Sequence, residues 1–532
     1  MSYTALDSRT GDGLDLEIRP REQHGLEYVS DIEMMHYKAT PSKVLDATIQ
    51  YTPVQPRSMD DPVDSQDTDD VQYTYDKATS TLKMCIFALC CCWLIGIVCI
   101  TLGVIAIIKS NASENALLAI EASEIAALGL NVGVTLLIET TGFIHTASLR
   151  SSLQQEGKLK FNTNLRLITC ARLSRPNRWY INIVVLLFIT LAYAASSLVF
   201  MKPNLALVLG PGPITWQGFL CIVLGCSLVG LAAISTWALM SSSIPSWSSS
   251  PFDSVLVAAH SGLLERTGGR CLRSVHDSQA ASVPVHITKT QKSAWKAHGQ
   301  VKLIVGTIWL PIALYAALVG LVVSLDSRVQ NNGRVSWSLV PGYGTVWSRW
   351  TLHASLTQLG VRLVTLLIFV ALQSPLTFAL HCSELLVNLW RDEDYWRTAT
   401  TRRGARLRGY SSVKATLTSW QSVLLFIFKS LLHWILGLSI SIDALVSIFC
   451  VCFASFMTYL SLAKPLGTQP ATFGHVQTIL DLVDEWHPTI YWGHKGENDG
   501  ICHAGTSAHK LPGVRWNGLY SGDAEAKTRK EK

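Results

Sequence analysis

Six ionisable side chains stand inside or at the edge of long apolar runs. Glu139 and His145 share one run, His381 and Glu384 a second, Lys429 and His433 a third. A charge in hydrocarbon costs on the order of 2.5–3.5 kcal/mol on insertion scales unless it finds a partner or water. Such residues therefore mark ion or proton pathways, or polar contacts that fix helix packing. His381 and Glu384 are three apart, and Lys429 and His433 four apart, so each pair shares one face of a helix. An acid, a His–acid pair and a Lys–His pair in neighbouring helices suit proton-coupled transport or an ion gate. Helix packing and snorkelling to the headgroups are the competing uses of the same residues.

Other chemistry finds little support. The carboxyl-terminal segment carries His475, His487, His494, Cys502, His503 and His509 with Asp481, Asp484 and Glu485. Zinc sites bring Cys or His ligands in closer pairs than these, so no metal is expected. No phosphate-cradling glycine loop, dinucleotide fingerprint, serine-nucleophile elbow or His-Glu-x-x-His motif occurs. The expectation is a protein that is not an enzyme and needs no cofactor.

The elements that must hold the six residues are membrane helices. Hydrophobic residues make up 49% of the 532 and charged ones 15%, with a mean hydropathy of +0.28. Soluble domains carry about 25% charge. Apolar runs long enough for a ~30 Å hydrocarbon core lie near 84–108, 126–144, 180–199, 214–240, 303–325, 361–380, 423–438 and 444–463. The run at 423–438 also fits a helix lying in the interface, because its polar residues form a narrow stripe. The predicted fold is therefore all-α, an integral membrane helical bundle of seven or eight transmembrane helices. Residues 1–82 form an acidic cytoplasmic tail with no sustained period, read as disordered. Residues 83–463 form the polytopic domain, and 464–532 a polar tail with one amphipathic helix at His475–Trp486.

Basic residues set the orientation. Loops 146–178, 241–302 and 391–418 hold twenty-one Lys and Arg, against five in the alternating segments 109–124, 202–213 and 326–360. That bias puts the amino terminus and the three basic loops in the cytoplasm. Asn111, in Asn111-Ala112-Ser113, then falls outside as a possible glycosylation acceptor. Residues 335–350 read as an outer strand–turn–strand. The basic charge belongs to membrane topology, so the partners expected are the lipid bilayer and unidentified proteins, with no nucleic acid. The plasma membrane and the endoplasmic reticulum fit equally.

Several blocks are distinctive together: Gly142–Arg150, Trp247–Pro251, Gly467–Ala471 leading to Gly474–Thr478, Tyr491–Gly496 and His503–Ser507. As a set they resemble an uncharacterised family of large multi-spanning membrane proteins from filamentous fungi, over roughly residues 80–520. The resemblance implies a fungal source and a membrane location, and no activity. Two functions stay open. One is a transporter or channel that uses Glu139, His381, Glu384, Lys429 and His433. The other is a non-catalytic scaffold or sensor that docks partners through its cytoplasmic loops and tails.

Overall fold

The computed structural model describes residues 75–109, 120–199, 213–267, 271–277, 284–329, 358–407, 409, 411–438 and 444–522. Asn111, the segment 335–350 and the tail before residue 75 lie outside them. The first long helices in chain order are α1 (Thr79–Lys109), α2 (Ile120–Gln155), α3 (Trp179–Leu198) and α4 (Pro213–Ser241). A short α5 (Pro251–His260) and α6 (Ala294–Ala297) precede α7 (Gln300–Val329) and α8 (Gln358–Arg397). Then come α9 (Ser412–Thr418), α10 (Trp420–Leu438), α11 (Ala444–Leu462) and α12 (Val476–Leu482). Among the described residues seven helices are long and apolar enough to cross a membrane, namely α1–α4, α7, α8 and α10. The apolar stretch of α11 is shorter, Val446–Leu462. These long apolar helices are consistent with the expected helical bundle.

Two helices are longer than a membrane crossing needs. α2 has 36 residues and α8 has 40, or about 54 and 60 Å at 1.5 Å per residue. Their carboxyl-terminal ends continue as the pillars of a second layer. α1 joins the bundle through glycines. A Cβ on Gly103 would fall 2.5 Å from Gly218 O, and one on Gly225 2.5 Å from Gly96 O. Two antiparallel helices thus touch backbone to backbone, the small-residue packing that lipid-embedded helices use. Most of the remaining α1 surface, including Phe87, Leu94 and Leu102, is exposed.

The chain is not all-α. Strands β1 (Val285–His286), β2 (Ala405–Arg406), β3 (Thr489–Asn498), β4 (Ile501–Ser507) and β5 (Leu519–Tyr520) form one sheet in the order β1-β5-β4-β3-β2. β3 and β4 make a hairpin whose turn residues Asp499 and Gly500 have φ of 50° and 76°. Positive φ at both positions is what a tight two-residue hairpin turn requires. Residues 464–522 are thus mostly a folded layer rather than a tail. The amphipathic helix is shorter than expected: α12 starts at its His475 cap and ends at Leu482. Val476, Ile479, Leu480 and Val483 are buried against Phe252, Trp396 and Trp492 in one core.

The layer is tied to both pillars. Glu393 on α8 accepts from the backbone N–H groups of Thr472 (2.8 Å) and Phe473 (2.9 Å) and pairs with Arg397 at 2.7 Å. Asp392 accepts from Asn162 at 2.9 Å. Arg150 on α2 donates to Ser248 O at 2.6 Å and to Asn162 Oδ1 at 3.1 Å. The separate blocks Gly142–Arg150, Trp247–Pro251 and Gly467–Thr478 therefore meet in space. Residues 75–78, read from sequence as the end of the tail, are anchored here. Asp76 N donates to Asp253 Oδ1 at 3.0 Å, and Trp247 N to Lys77 O at 3.1 Å.

Candidate functional site

Where α2, α8 and α10 meet, Lys429 Nζ lies 2.6 Å from Glu139 Oε1 and 2.5 Å from Glu384 Oε1. One ammonium bridges two carboxylates from two other helices. His381 Nδ1 stands 2.8 Å from Glu384 Oε1 and 3.4 Å from Lys429 Nζ. The fifth member comes from outside the helices. Arg166, in the loop after α2, places NH2 3.0 Å from His381 Nδ1 and 3.5 Å from Glu384 Oε1. Its guanidinium lies across Gly142, where any Cβ would collide with it. That explains a glycine in the middle of α2.

The layout is sided. The Lys429 and His381 side chains are 1% and 0% exposed, whereas those of Glu139 and Glu384 are 30% and 21% exposed. The bases sit behind and the acids in front. Two cations face two anions, so the set is neutral with a neutral imidazole. Glu139, His381 and Glu384 also bring three donor atoms within 4.8 Å of one another. The Lys429 ammonium already fills the space between the two carboxylates, and with Arg166 it supplies the positive charge a metal ion would bring.

Of the six residues picked from sequence, four come together: Glu139, His381, Glu384 and Lys429. His433 sits one turn along α10 and belongs to an adjoining polar layer. Its ring stacks on Tyr193, with centroids 3.6 Å apart, and its Nδ1 is 2.9 Å from Gln373 Nε2. Tyr193 in turn reaches Thr135 at 3.3 Å. His145 is elsewhere. Its Nε2 donates to Pro176 O at 3.2 Å, and it lines a small cavity of about 10 Å³ with Arg166 and Ser235. Nδ1 of His145 and Nε of Arg166 are buried without a hydrogen-bond partner among the described residues. The cavity is about the size of one water. Sequence reading missed Arg166, Gln373 and Tyr193. Arg166 looked like one more basic residue of a cytoplasmic loop, and the other two carry no charge.

The histidine-rich carboxyl segment holds a second group, outside the membrane helices. Asp484 accepts from Lys495 Nζ and Thr506 Oγ1, both at 2.8 Å, and lies 3.4 Å from His503 Nε2. Burial pushes its carboxyl up, but the His503, Lys495 and Thr506 hydrogen bonds outweigh it and hold the group below the usual carboxylate range. Burial likewise pushes the His503 imidazolium down, yet hydrogen bonds to Asp484 and Cys271 hold its pKa up at about 10. His494 bonds Tyr520 at 2.9 Å instead. This group fastens α12 to the hairpin. No known protein family, curated protein or solved structure matches this chain.

Proposed function

We propose that this protein is a proton-coupled membrane transporter whose exchange site is the cluster of Glu139, Arg166, His381, Glu384 and Lys429. The observation that carries this reading is the surroundings of His381 Nδ1. The atom lies 2.8 Å from a carboxylate oxygen and 3.0 Å from an arginine nitrogen. It cannot serve both in one protonation state. When Nδ1 accepts from Arg166, its one lone pair is used, and the Glu384 carboxylate is held by Lys429 and Arg166 instead. When Nδ1 carries the proton and donates to Glu384, the Arg166 donor must turn to oxygen. Two proton arrangements therefore compete within nearly one set of heavy-atom positions. A proton arriving at the partly open acids tips the balance, and the buried cations feel the change in charge at once.

The orientation proposed follows the basic residues, with the layer of basic loops in the cytoplasm. That layer draws on all three basic loops and on residues 464–522: Asn162 donates to Ser249 O, and Leu407 N to Pro488 O. The carboxyl-terminal segment then lies on the same side as those loops. α10 and α11 together must return the chain to the side it left, which favours eight crossings.

The test uses the purified full chain in proteoliposomes loaded with a pH-sensitive dye. Under an imposed pH or potential difference the protein should carry protons faster than empty vesicles. Glu384→Gln and Glu139→Gln should slow that flux at least tenfold while the protein stays folded. Flux equal to empty vesicles under every gradient would remove the transport reading. A second reading, a proton sensor, is favoured by one observation: α8 carries Glu384 and, nine residues on, Glu393 in the basic-side layer. Its signature is absent flux together with pH-dependent hydrogen exchange at residues 472–474.

A further inference from the structure

The segment entering α3 presents a surface that neither the fold nor the charge cluster uses. Arg172, Arg175 and Arg178 are all exposed. Among the described residues no ion pair or hydrogen bond holds their guanidinium groups. Beside them Leu173 is 71%, Trp179 64% and Tyr180 40% exposed. The residues between are buried: Ala171, Ser174, Pro176 and Asn177. The segment thus has one outward face, basic and aromatic, and one inward face.

The inward face is pinned. Asn177 donates to Ser148 Oγ at 2.9 Å and to Ser174 Oγ at 2.7 Å, and its carbonyl accepts from Ala171 N at 2.9 Å. Leu173 N donates to Glu156 Oε1 at 2.8 Å. Glu156 is the one acid in loop 146–178, and it is spent on that bond and on Lys158 at 2.5 Å. Residues 175–177 form a 3-10 turn, in which positions three apart eclipse. Arg175 and Arg178 therefore project from one side of a rigid platform, and α3 leaves for the membrane at the next residue.

We infer that this platform binds the headgroup of an anionic phospholipid in the leaflet on the basic side of the protein. The three guanidinium groups match the phosphate and any further anionic group. Trp179 and Tyr180, packed edge to face with centroids 5.9 Å apart, sit where aromatic rings favour the headgroup level. Leu173 adds an exposed apolar group beside the arginines. A soluble phosphate would use the arginines and leave Leu173, Trp179 and Tyr180 in water. A lipid uses all six. The inference does not depend on transport at the charge cluster.

The experiment is native mass spectrometry of the full chain released from membranes mixed from phosphatidylcholine and phosphatidylserine or phosphatidylinositol. The wild type should retain the anionic lipids in preference to phosphatidylcholine. Arg172→Gln/Arg175→Gln/Arg178→Gln should lose that preference, on the order of fivefold for each arginine removed. Arg402→Gln/Arg403→Gln, exposed elsewhere on the basic loops, should keep it. Should the triple variant fail to fold, the single Arg175→Gln carries the test with its one-arginine loss. Equal retention in wild type and variants overturns the proposal. So does an equal loss in the 402/403 control, which would mean diffuse attraction, or full displacement by inorganic phosphate, which would mean a soluble anion site.

Discussion

Replacing Lys429 by Met keeps the length of the side chain and removes the ammonium that stands 2.6 and 2.5 Å from two carboxylates. The variant leaves two acids facing each other with Arg166 as their remaining nearby cation. Breaking a buried ion pair from one side costs about 3–5 kcal/mol. Here Glu139 and Glu384 are 30% and 21% open. They regain part of their hydration or take up a proton, so the expected loss is about 2–4 kcal/mol. The assay is reversible unfolding of the full chain in mixed micelles, run as a mutant cycle. Lys429→Met should be strongly destabilised. Adding Glu139→Gln and Glu384→Gln should recover most of the loss, because neutral amides no longer need the ammonium. The interaction energy from such a cycle should exceed about 1 kcal/mol. A Lys429→Met protein within about 0.5 kcal/mol of wild type, or losses that simply add, would refute the bridging role of Lys429.

Three further outcomes are expected. Gly103→Leu forces a side chain into Gly218 O; it should cost about 1–3 kcal/mol or more and free the carboxyl-terminal end of α1 for limited proteolysis, while Gly129→Leu, with open space around its Cβ position, should not. In the basic-side layer, the His503 pKa is raised above its ordinary value of 6.5 to about 10, so its contribution to stability is complete below pH 6.5 and falls away as pH climbs through 10. Denaturant midpoints at pH 6 and pH 10 should differ for the wild type and converge in His503→Gln. Finally, Cys170 is an exposed thiol in the basic loop; a membrane-impermeant maleimide should reach it only after the cells are permeabilised, and labelling of intact cells would reverse the proposed orientation.

The long apolar helices were legible because long apolar runs leave few alternatives, and so was most of the cluster, because a charge in such a run needs a partner. What the sequence hid follows from geometry. Glu139 and His145 share α2, but six residues turn a helix by about 600°, which carries His145 round to another face. Gly142, only three residues on, lies about 60° from Glu139 in projection, on the side where Arg166 arrives. Nothing in a linear reading tells a glycine that admits a guanidinium from any other helical glycine. The lengths of α2 and α8 were underread because hydropathy stops at the membrane surface and the helices do not. The sheet had a signal that went unused. Asp499-Gly500 between Thr489–Asn498 and Ile501–Ser507 is a strong hairpin pattern, but flanking His, Lys and Glu made the segment read as polar tail.

The cluster also sets a schedule for making the protein. Glu139 and its partner Lys429 are 290 residues apart. At 5–20 residues per second, roughly 15–60 s of synthesis separate the acid from its ammonium. α2 enters the bilayer long before α10 exists. During that interval Glu139 must stay protonated, or remain near the headgroups, or be held by whatever guides insertion. The same holds for Glu384 over the 45 residues to Lys429, a wait of only about 2–9 s. The first four membrane helices can therefore pack around their own core while one acid is still unpaired. The arrival of α10 brings Lys429 between the two acids and, with Arg166 already made, completes the balance of two cations against two anions. A chain interrupted before residue 429 carries an exposed intramembrane acid, a mark by which a quality-control system can tell the unfinished protein from the finished one.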